Sequence, residues 1–415
     1  MLSCREMRYT VFIITLLIIL LNLSCDKDEI SYTQSESFIK FYGGPSLADH
    51  GVDVKQTGDK GYAVLSTIKT PDNGTDMCLI LTDIYGNSSS EIKYFGGNSD
   101  DVGRCINILD DGGLILLGSS KDATTEKLDI LLVRTNSAGD SIWSKKIGGS
   151  GNEEAYDLKI DDSGNFVLIG YTDTYDPGTE ITITFANMQK QILILKIDQD
   201  GNIITPVIKP LGVRGKDDVG HHIQILDDGY LIIGNTNNVY KDNDDRFFSF
   251  ITETNARGDL LSGLDTLFET QVNYYNQSAI MPDGNILVAG TITTSNSTNI
   301  CLTKVNSEKL KEKLWKNVIP EPSNTYNTGL LINGNEITLT GTHIISGNTS
   351  NIVLIRTGID SLSTIINLNE YGQSGQLVSA GFDVTDDMGY VCTGSNITND
   401  NSVITLIKTG YDGNF

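Results

Sequence analysis

Basic residues are scarce: the 415-residue chain has 30 Lys and Arg against 53 Asp and Glu, a formal net charge of −23. Binding to nucleic acid needs a basic footprint that releases counterions from phosphate, so that class is excluded. Peripheral docking on anionic lipid through a basic patch is excluded for the same reason. There are only four histidines, His50, His221, His222 and His343. With no Gly-x-Ser-x-Gly elbow and no phosphate-cradling loop, no catalytic residue is assigned. The cysteines form no Cys-x-x-Cys pair, and no metal ligand set has a recognisable spacing. Proline is also rare, at 8 residues against 42 glycines. No long membrane-spanning run occurs, because the one apolar stretch, Val11 to Leu21, is too short to cross a hydrocarbon core of about 30 Å.

What the chain has is glycine, Thr, Ile, Val and Leu, with 39% hydrophobic residues. High Gly with low Pro and many β-branched residues predicts many short strands joined by Gly turns. That hydrophobic content is enough to bury a large core, which excludes disorder.

Residues 1–24 read as a removable leader: Arg5 and Arg8, the apolar run, then Leu21-Asn22-Leu23-Ser24 before Cys25. This resembles a bacterial lipoprotein signal, which implies that Cys25 is lipidated (palmitate included) and becomes the mature N-terminus. Asn22 departs from the usual pattern, in which the third position before the Cys is Leu. The leader carries Arg5 and Arg8 against Glu6, one net positive charge, so the mature chain moves from −23 to −24. Asp26-Lys27-Asp28-Glu29 resembles the export signal that sends lipoproteins to the outer face in one phylum of glycan-degrading Gram-negative bacteria. The resemblance implies an outer-membrane lipoprotein facing the cell exterior, with residues 25–36 as a polar tether. Cys78, Cys105, Cys301 and Cys392 sit in apolar strand patterns and are expected to be free, buried hydrophobes.

Residues 37–415 are a tandem repeat. An apolar strand ending in a small residue recurs at Ser66, Gly118, Gly170, Gly234, Gly290, Gly341 and Gly394, at intervals of 52, 52, 64, 56, 51 and 53. Each copy follows a turn such as Asp110-Asp111-Gly112-Gly113, suited to the positive φ of a tight hairpin. A third apolar strand and an outer strand ending near Gly-Gly complete the unit. Four strands per 50–60 residues is the size of one propeller blade. Tyr411-Asp412-Gly413-Asn414 is the turn that elsewhere precedes an outer strand, and Ser37–Gly44 (SFIKFYGG) is a spare one. The expected fold is therefore all-β: a seven-bladed β-propeller closed by an N-terminal outer strand pairing with the C-terminal blade. Trp143 to Gly149, Glu153-Glu154-Ala155, Asp162-Ser163-Gly164 and Gly170 resemble the Gly-Gly/Asp-Gly-Gly-Tyr propeller repeat of secreted and lipoprotein chains. That resemblance implies the fold and leaves the ligand open.

Loops joining second to third strands vary most, the longest being Tyr171 to Lys190, and recognition usually sits on variable loops of a rigid scaffold. The candidate ligand-binding residues are Tyr171, Tyr175, Phe185, Tyr240, Arg246, Tyr274, Tyr275 and His221. His221 and His222, adjacent on one inner strand, are expected to face opposite ways. Asp49, Asp101, Glu154 and Asp218 precede inner strands, where a carboxylate either accepts backbone N–H bonds or joins a Ca²⁺ site; the former is expected. Trp143 and Trp315 are poorly distributed for a quinone-dependent propeller, and no cofactor is expected. The function these readings imply is a non-catalytic binding or scaffold module for a glycan or a partner outer-membrane protein. The alternative is a polysaccharide-acting propeller enzyme, a lyase or hydrolase.

Overall fold

In a computed structural model, residues 36–415 are described except for 47–48, 71–73, 89–90, 174–189, 205–209, 213–215, 238–247, 262, 267–272, 295–296, 311, 360–363, 373–374 and 399–400. The described residues belong to one unit, Ser35–Phe415, in which every regular element is a strand. The predicted lipidation site Cys25 and its leader lie outside the described residues.

The first strand is β1 (Phe38–Ser46). Four consecutive strands then pair antiparallel as β2 (His50–Gln56), β3 (Tyr62–Thr70), β4 (Gly74–Thr82) and β5 (Lys93–Phe95). The next sheet is β6 (Asp101–Ile108), β7 (Leu114–Lys121), β8 (Leu128–Thr135) and β9 (Ser141–Ile147). It is followed by β10 (Glu153–Ile160), β11 (Phe166–Thr172), β12 (Gln191–Ile197) and β13 (Pro210–Leu211). Then come β14 (Asp218–Leu226), β15 (Gly229–Thr236), β16 (Phe248–Asn255) and β17 (Asp265–Thr266). A further sheet holds β18 (Asn273–Ile280), β19 (Ile286–Thr293), β20 (Thr298–Val305) and β21 (Lys313–Val318).

The remaining strands are β22 (Thr325–Asn333), β23 (Glu336–Ser346), β24 (Thr349–Gly358), β25 (Ile365–Tyr371), β26 (Gln376–Val384), β27 (Tyr390–Thr398) and β28 (Asn401–Thr409). With β1 they make an eight-stranded sheet of two antiparallel halves, β22 to β25 and β26-β27-β28-β1. A single parallel bridge, Ser350 with Gln376, joins the halves. Phe38 to Tyr42 of β1 run antiparallel to Lys408 back to Ile404 of β28. Repeated four-stranded antiparallel sheets, packed face to face with their first strands around one cavity, are the architecture of a β-propeller.

Side-chain pattern explains the layering. The middle strands are apolar on both faces, as in Leu114-Ile115-Leu116-Leu117, because both faces are covered by neighbouring sheets. Leu117, Ile130 and Leu132 of one sheet pack against Leu158, Leu168 and Leu193 of the next. Each such side chain contributes about 1.5–3 kcal/mol when fully buried. Outer strands alternate instead: β9 exposes Ser141, Ile142, Ser144 and Lys146 and buries Ile147.

The Gly-Gly signals have a mechanical role. The N–H groups of Gly44, Gly97 and Gly149 donate to Asp49 Oδ2 (3.1 Å), Asp101 Oδ2 (2.7 Å) and Glu153 Oε2 (2.7 Å), tying an outer strand to the first strand of the next sheet. Asp49 and Asp101 thus accept backbone N–H groups as expected, and a third acid brings one correction. In the Glu153-Glu154 doublet the clasp belongs to Glu153, because it stands four residues after Gly149, as Asp101 does after Gly97.

Candidate functional site

The first strand of each sheet carries a β-bulge at one repeated position. The register skips Val52, Arg104, Tyr156, His221, Asn276 and Thr328, and in β26 it skips Ala380 and Gly381. A bulge adds one unpaired residue and re-aims side chains, a device common beside binding sites. The recurrent glycine of the second strand lies opposite it. A Cβ on Gly170 would stand 1.8 Å from Glu154 O, and one on Gly394 1.9 Å from Val378 O, so a side chain there would break the pairing. The second strand does not end at this glycine, since β7 runs on from Gly118 to Lys121.

The bulged strands surround a cavity of about 560 Å³, in the range of small-ligand sites. All of β2, β6, β10, β14, β18, β22 and β26 line it. Three of them supply charged lining residues: Asp53 and Lys55 from β2, Arg104 from β6, and Asp157 and Lys159 from β10. Arg104 Nη2 bonds Glu154 Oε1 at 2.7 Å, and the hydroxyls of Tyr156 and Tyr171 both donate to Glu154 Oε2 at 3.1 Å. Burial pushes the Glu154 carboxyl up, but Arg104 and the two tyrosine hydroxyls outweigh it and hold the group below the usual range. Arg104 also lies over the Tyr156 ring, 5.4 Å from its centroid, and the His221 ring is 5.0 Å from Tyr156.

Asn235 fixes the state of His221. Asn235 Oδ1 accepts from Ser249 Oγ at 3.0 Å, so its Nδ2 donates to His221 Nε2 at 3.1 Å. Nδ1 then carries the proton of a neutral ring. Burial, with Lys190 and Arg104 nearby, brings the His221 pKa down to about 4. His222 Nδ1 bonds Asp157 Oδ2 at 2.7 Å, and Lys159 Nζ bonds Asp157 Oδ1 at 2.8 Å. Burial works against the Asp157 charge, but Lys159 and His222 hold its carboxyl well below the usual range. Lys55 sits 3.6 Å from Asp383. Burial lifts the Asp383 carboxyl against the pull of Lys55.

The rest of the wall is neutral. Among the described residues, β18 and β22 contribute Gln277, Ser278, Ala279, Ile280, Thr328 and Leu330, with no charged side chain. Cys105 also lines the cavity, and burial pushes its thiol well above the usual range. Cys78, Cys301 and Cys392 are free and buried.

Of the sequence candidates, His221 lies in this wall. The expectation that His221 and His222 face opposite ways is overturned: the bulge breaks strand alternation and both line the cavity. Tyr171 is buried beneath Lys190 Nζ, 4.0 Å from its ring centroid, and serves the site by holding Glu154. Tyr275 is in the core, not on a recognition surface, and its hydroxyl lies 2.8 Å from Thr303 Oγ1. Tyr274 is 48% exposed. Tyr175, Phe185, Tyr240 and Arg246 lie outside the described residues. Sequence reasoning missed Arg104, Tyr156 and Asp157; their signal is a small residue, Gly103 or Ala155, at the offset Gly220 keeps before His221.

No protein-family model and no curated protein matches the sequence. Solved structures do resemble the chain. The polysaccharide lyase Uly1 aligns over 90% of this chain and 92% of its own, with 12% identity and a TM-score of 0.56. The β-propeller domain of the Trilobed protease from Pyrococcus furiosus aligns over 89% and 94%, with 15% identity and a TM-score of 0.48. An acylaminoacyl peptidase from Pyrococcus horikoshii aligns over 89% of this chain and 54% of its own, with 13% identity and a TM-score of 0.48. The likeness to the lyase is one of fold.

Proposed function

We propose that the chain is a lipid-anchored, surface-exposed outer-membrane propeller of seven blades that works as a non-catalytic binding module. Taking the halves of the eight-stranded sheet as two blades gives the count. The pairing of β1 with β28 and the contact of β2 with β26 support a closed ring whose last blade takes its outer strand from the N-terminus. The leader ending at Cys25 and the following Asp-Lys-Asp-Glu support the anchor and the outward face. Its partner is a glycan or a neighbouring outer-membrane protein.

One observation carries the binding role: the lining groups Lys55, Arg104, Asp157 and Lys159 are ion-paired inside the protein, and Asp53 accepts the backbone N–H groups of Val54 and Ile106. Charges held by internal partners orient a ligand, whereas a general acid or base needs a group free to exchange its proton. The test is a pull-down of the tagged, lipidated protein from detergent-solubilised outer membrane, followed by titration with oligosaccharides. A stoichiometric protein companion or a saturable saccharide signal supports the reading; neither would sink it.

A second reading, a polysaccharide-acting enzyme, is favoured by His221, a neutral ring beside Tyr156 and Arg104. The fold likeness to a polysaccharide lyase is in keeping with it. Release of new chain ends from a polysaccharide, abolished in His221→Ala, would establish that reading in place of the first.

A further inference from the structure

We infer that the ligand is the end of a neutral oligosaccharide, which enters the cavity after stacking on Tyr274 and Tyr326 at its mouth. The inference rests on the reading of the cavity as a ligand site and adds the class of ligand and its direction of approach.

The mouth is defined by the residues two places before each bulge. They share one register, pairing with the residue just after the recurrent glycine: Glu154 with Tyr171, Tyr274 with Thr291, Tyr326 with Thr342 and Val378 with Ser395. Glu154 shows where this position stands, because it bonds the bulge residues Arg104 and Tyr156 at the cavity wall. In the three bulged strands β18, β22 and β26 the same position is open and apolar: Tyr274 is 48% exposed, Tyr326 44% and Val378 37%. Exposed Ile344 extends this arc, its N–H bonding Asn324 O at 3.0 Å beside the start of β22. The corresponding position is buried as Glu154 and Val219. Exposed apolar surface is thus gathered above the neutral wall of β18 and β22.

Such a surface fits a pyranose, whose C–H face packs on an aromatic ring while its hydroxyls meet polar groups. Rings one blade apart offer successive platforms for a chain, and the cavity below accepts its end. The charge pattern selects against acidic sugars. The lining cations Lys55, Arg104 and Lys159 are all paired with carboxylates, so a sugar acid entering the cavity finds no unpaired cation among the described lining residues. The chain's net charge of −23 repels a polyanion before contact.

The test is calorimetric titration of the full lipidated protein, in a zwitterionic detergent that carries no sugar, with cello-, xylo-, manno- and laminari-hexaose and with an oligogalacturonate. At least one neutral hexasaccharide is expected to bind, and the oligogalacturonate at least ten-fold more weakly. Tyr274→Ala with Tyr326→Ala is expected to weaken binding ten-fold or more. Tyr274→Phe with Tyr326→Phe, which keeps the rings, should stay within three-fold. Thr328→Trp, which fills the cavity, should abolish binding with the thermal midpoint kept, and Arg104→Met should weaken it as a second cavity variant. Binding lost in the cavity variants but unchanged in the double alanine variant overturns the mouth inference and leaves the cavity reading standing. Preference for the oligogalacturonate overturns the neutral class. Binding by no saccharide, with a stoichiometric protein captured from the membrane, overturns this inference and leaves the cavity without its ligand.

Discussion

The N–H of Gly97 donates to Asp101 Oδ2 across 2.7 Å, so the end of one sheet is held by the first residue of the next. Gly149 with Glu153 and Gly44 with Asp49 repeat the arrangement. Asp101 is wholly buried, so Asp101→Ala strands a backbone donor at a sheet junction. The expected loss is about 1–3 kcal/mol. Gly43→Ala should cost a similar amount, because φ is +101° and a Cβ would stand 2.5 Å from Asp49 Oδ2. Urea midpoints at constant slope would measure both, and unchanged midpoints would remove the clasp from the stability of the fold.

The Arg104–Glu154 pair makes a second prediction. Glu154→Ala leaves the Tyr156 and Tyr171 hydroxyls and Arg104 without their common acceptor. Breaking a buried pair on one side costs ~3–5 kcal/mol. Arg104 keeps a third of its side chain in solvent, which lowers the expectation to ~2 kcal/mol. Glu154→Gln, able to accept from the hydroxyls, should recover part of the loss. Equal destabilisation by both variants would mean that the charge alone matters.

The repeat, its strand types and the spare N-terminal strand are legible in the sequence because turn chemistry and apolar runs recur at a fixed interval. The cavity is legible only through a feature that reads at first as punctuation. Gly118, Gly170, Gly290 and Gly394 look like strand ends, yet each lies inside a strand opposite a bulge. A bulge adds a residue without changing composition, so period-two reasoning put His221 and His222 on opposite faces and passed over Arg104 and Tyr156. Tyr275 shows the converse error. Beside Tyr274 it reads as half of an exposed aromatic pair, but it lies one residue before the bulge, where side chains turn into the core.

Acid should destabilise the protein through His221. Its folded pKa is about 4, below the ordinary value near 6.5, so the unfolded chain binds more protons between those limits. Stability therefore falls as pH drops from 6.5 toward 4. The part assigned to His221 is on the order of 1–2 kcal/mol, because the ring is not fully enclosed. The lowered Glu154 carboxyl acts in the same direction further down, its contribution being lost as pH falls below the ordinary glutamate range. Urea unfolding of the parent and His221→Gln at pH 7 and pH 4.5 would separate the two. A parent that loses no more stability than the variant would show that His221 is not the sensor.

The lipid anchor makes the last prediction. If Cys25 carries the lipid, Cys25→Ala should lose radiolabelled palmitate and leave the outer-membrane fraction, because one or two acyl chains provide the attachment and the acidic propeller has no basic patch to hold anionic lipid. Its urea midpoint should match the parent's, since the change falls in the tether preceding the strands. The Asp-Lys-Asp-Glu segment is tested separately: Asp28→Ala with Glu29→Ala should keep the palmitate yet shield the propeller from protease added to intact cells, whereas the parent is cleaved. Parent protein that resists the protease until the outer membrane is permeabilised would place the propeller in the periplasm and confine its ligands to that compartment.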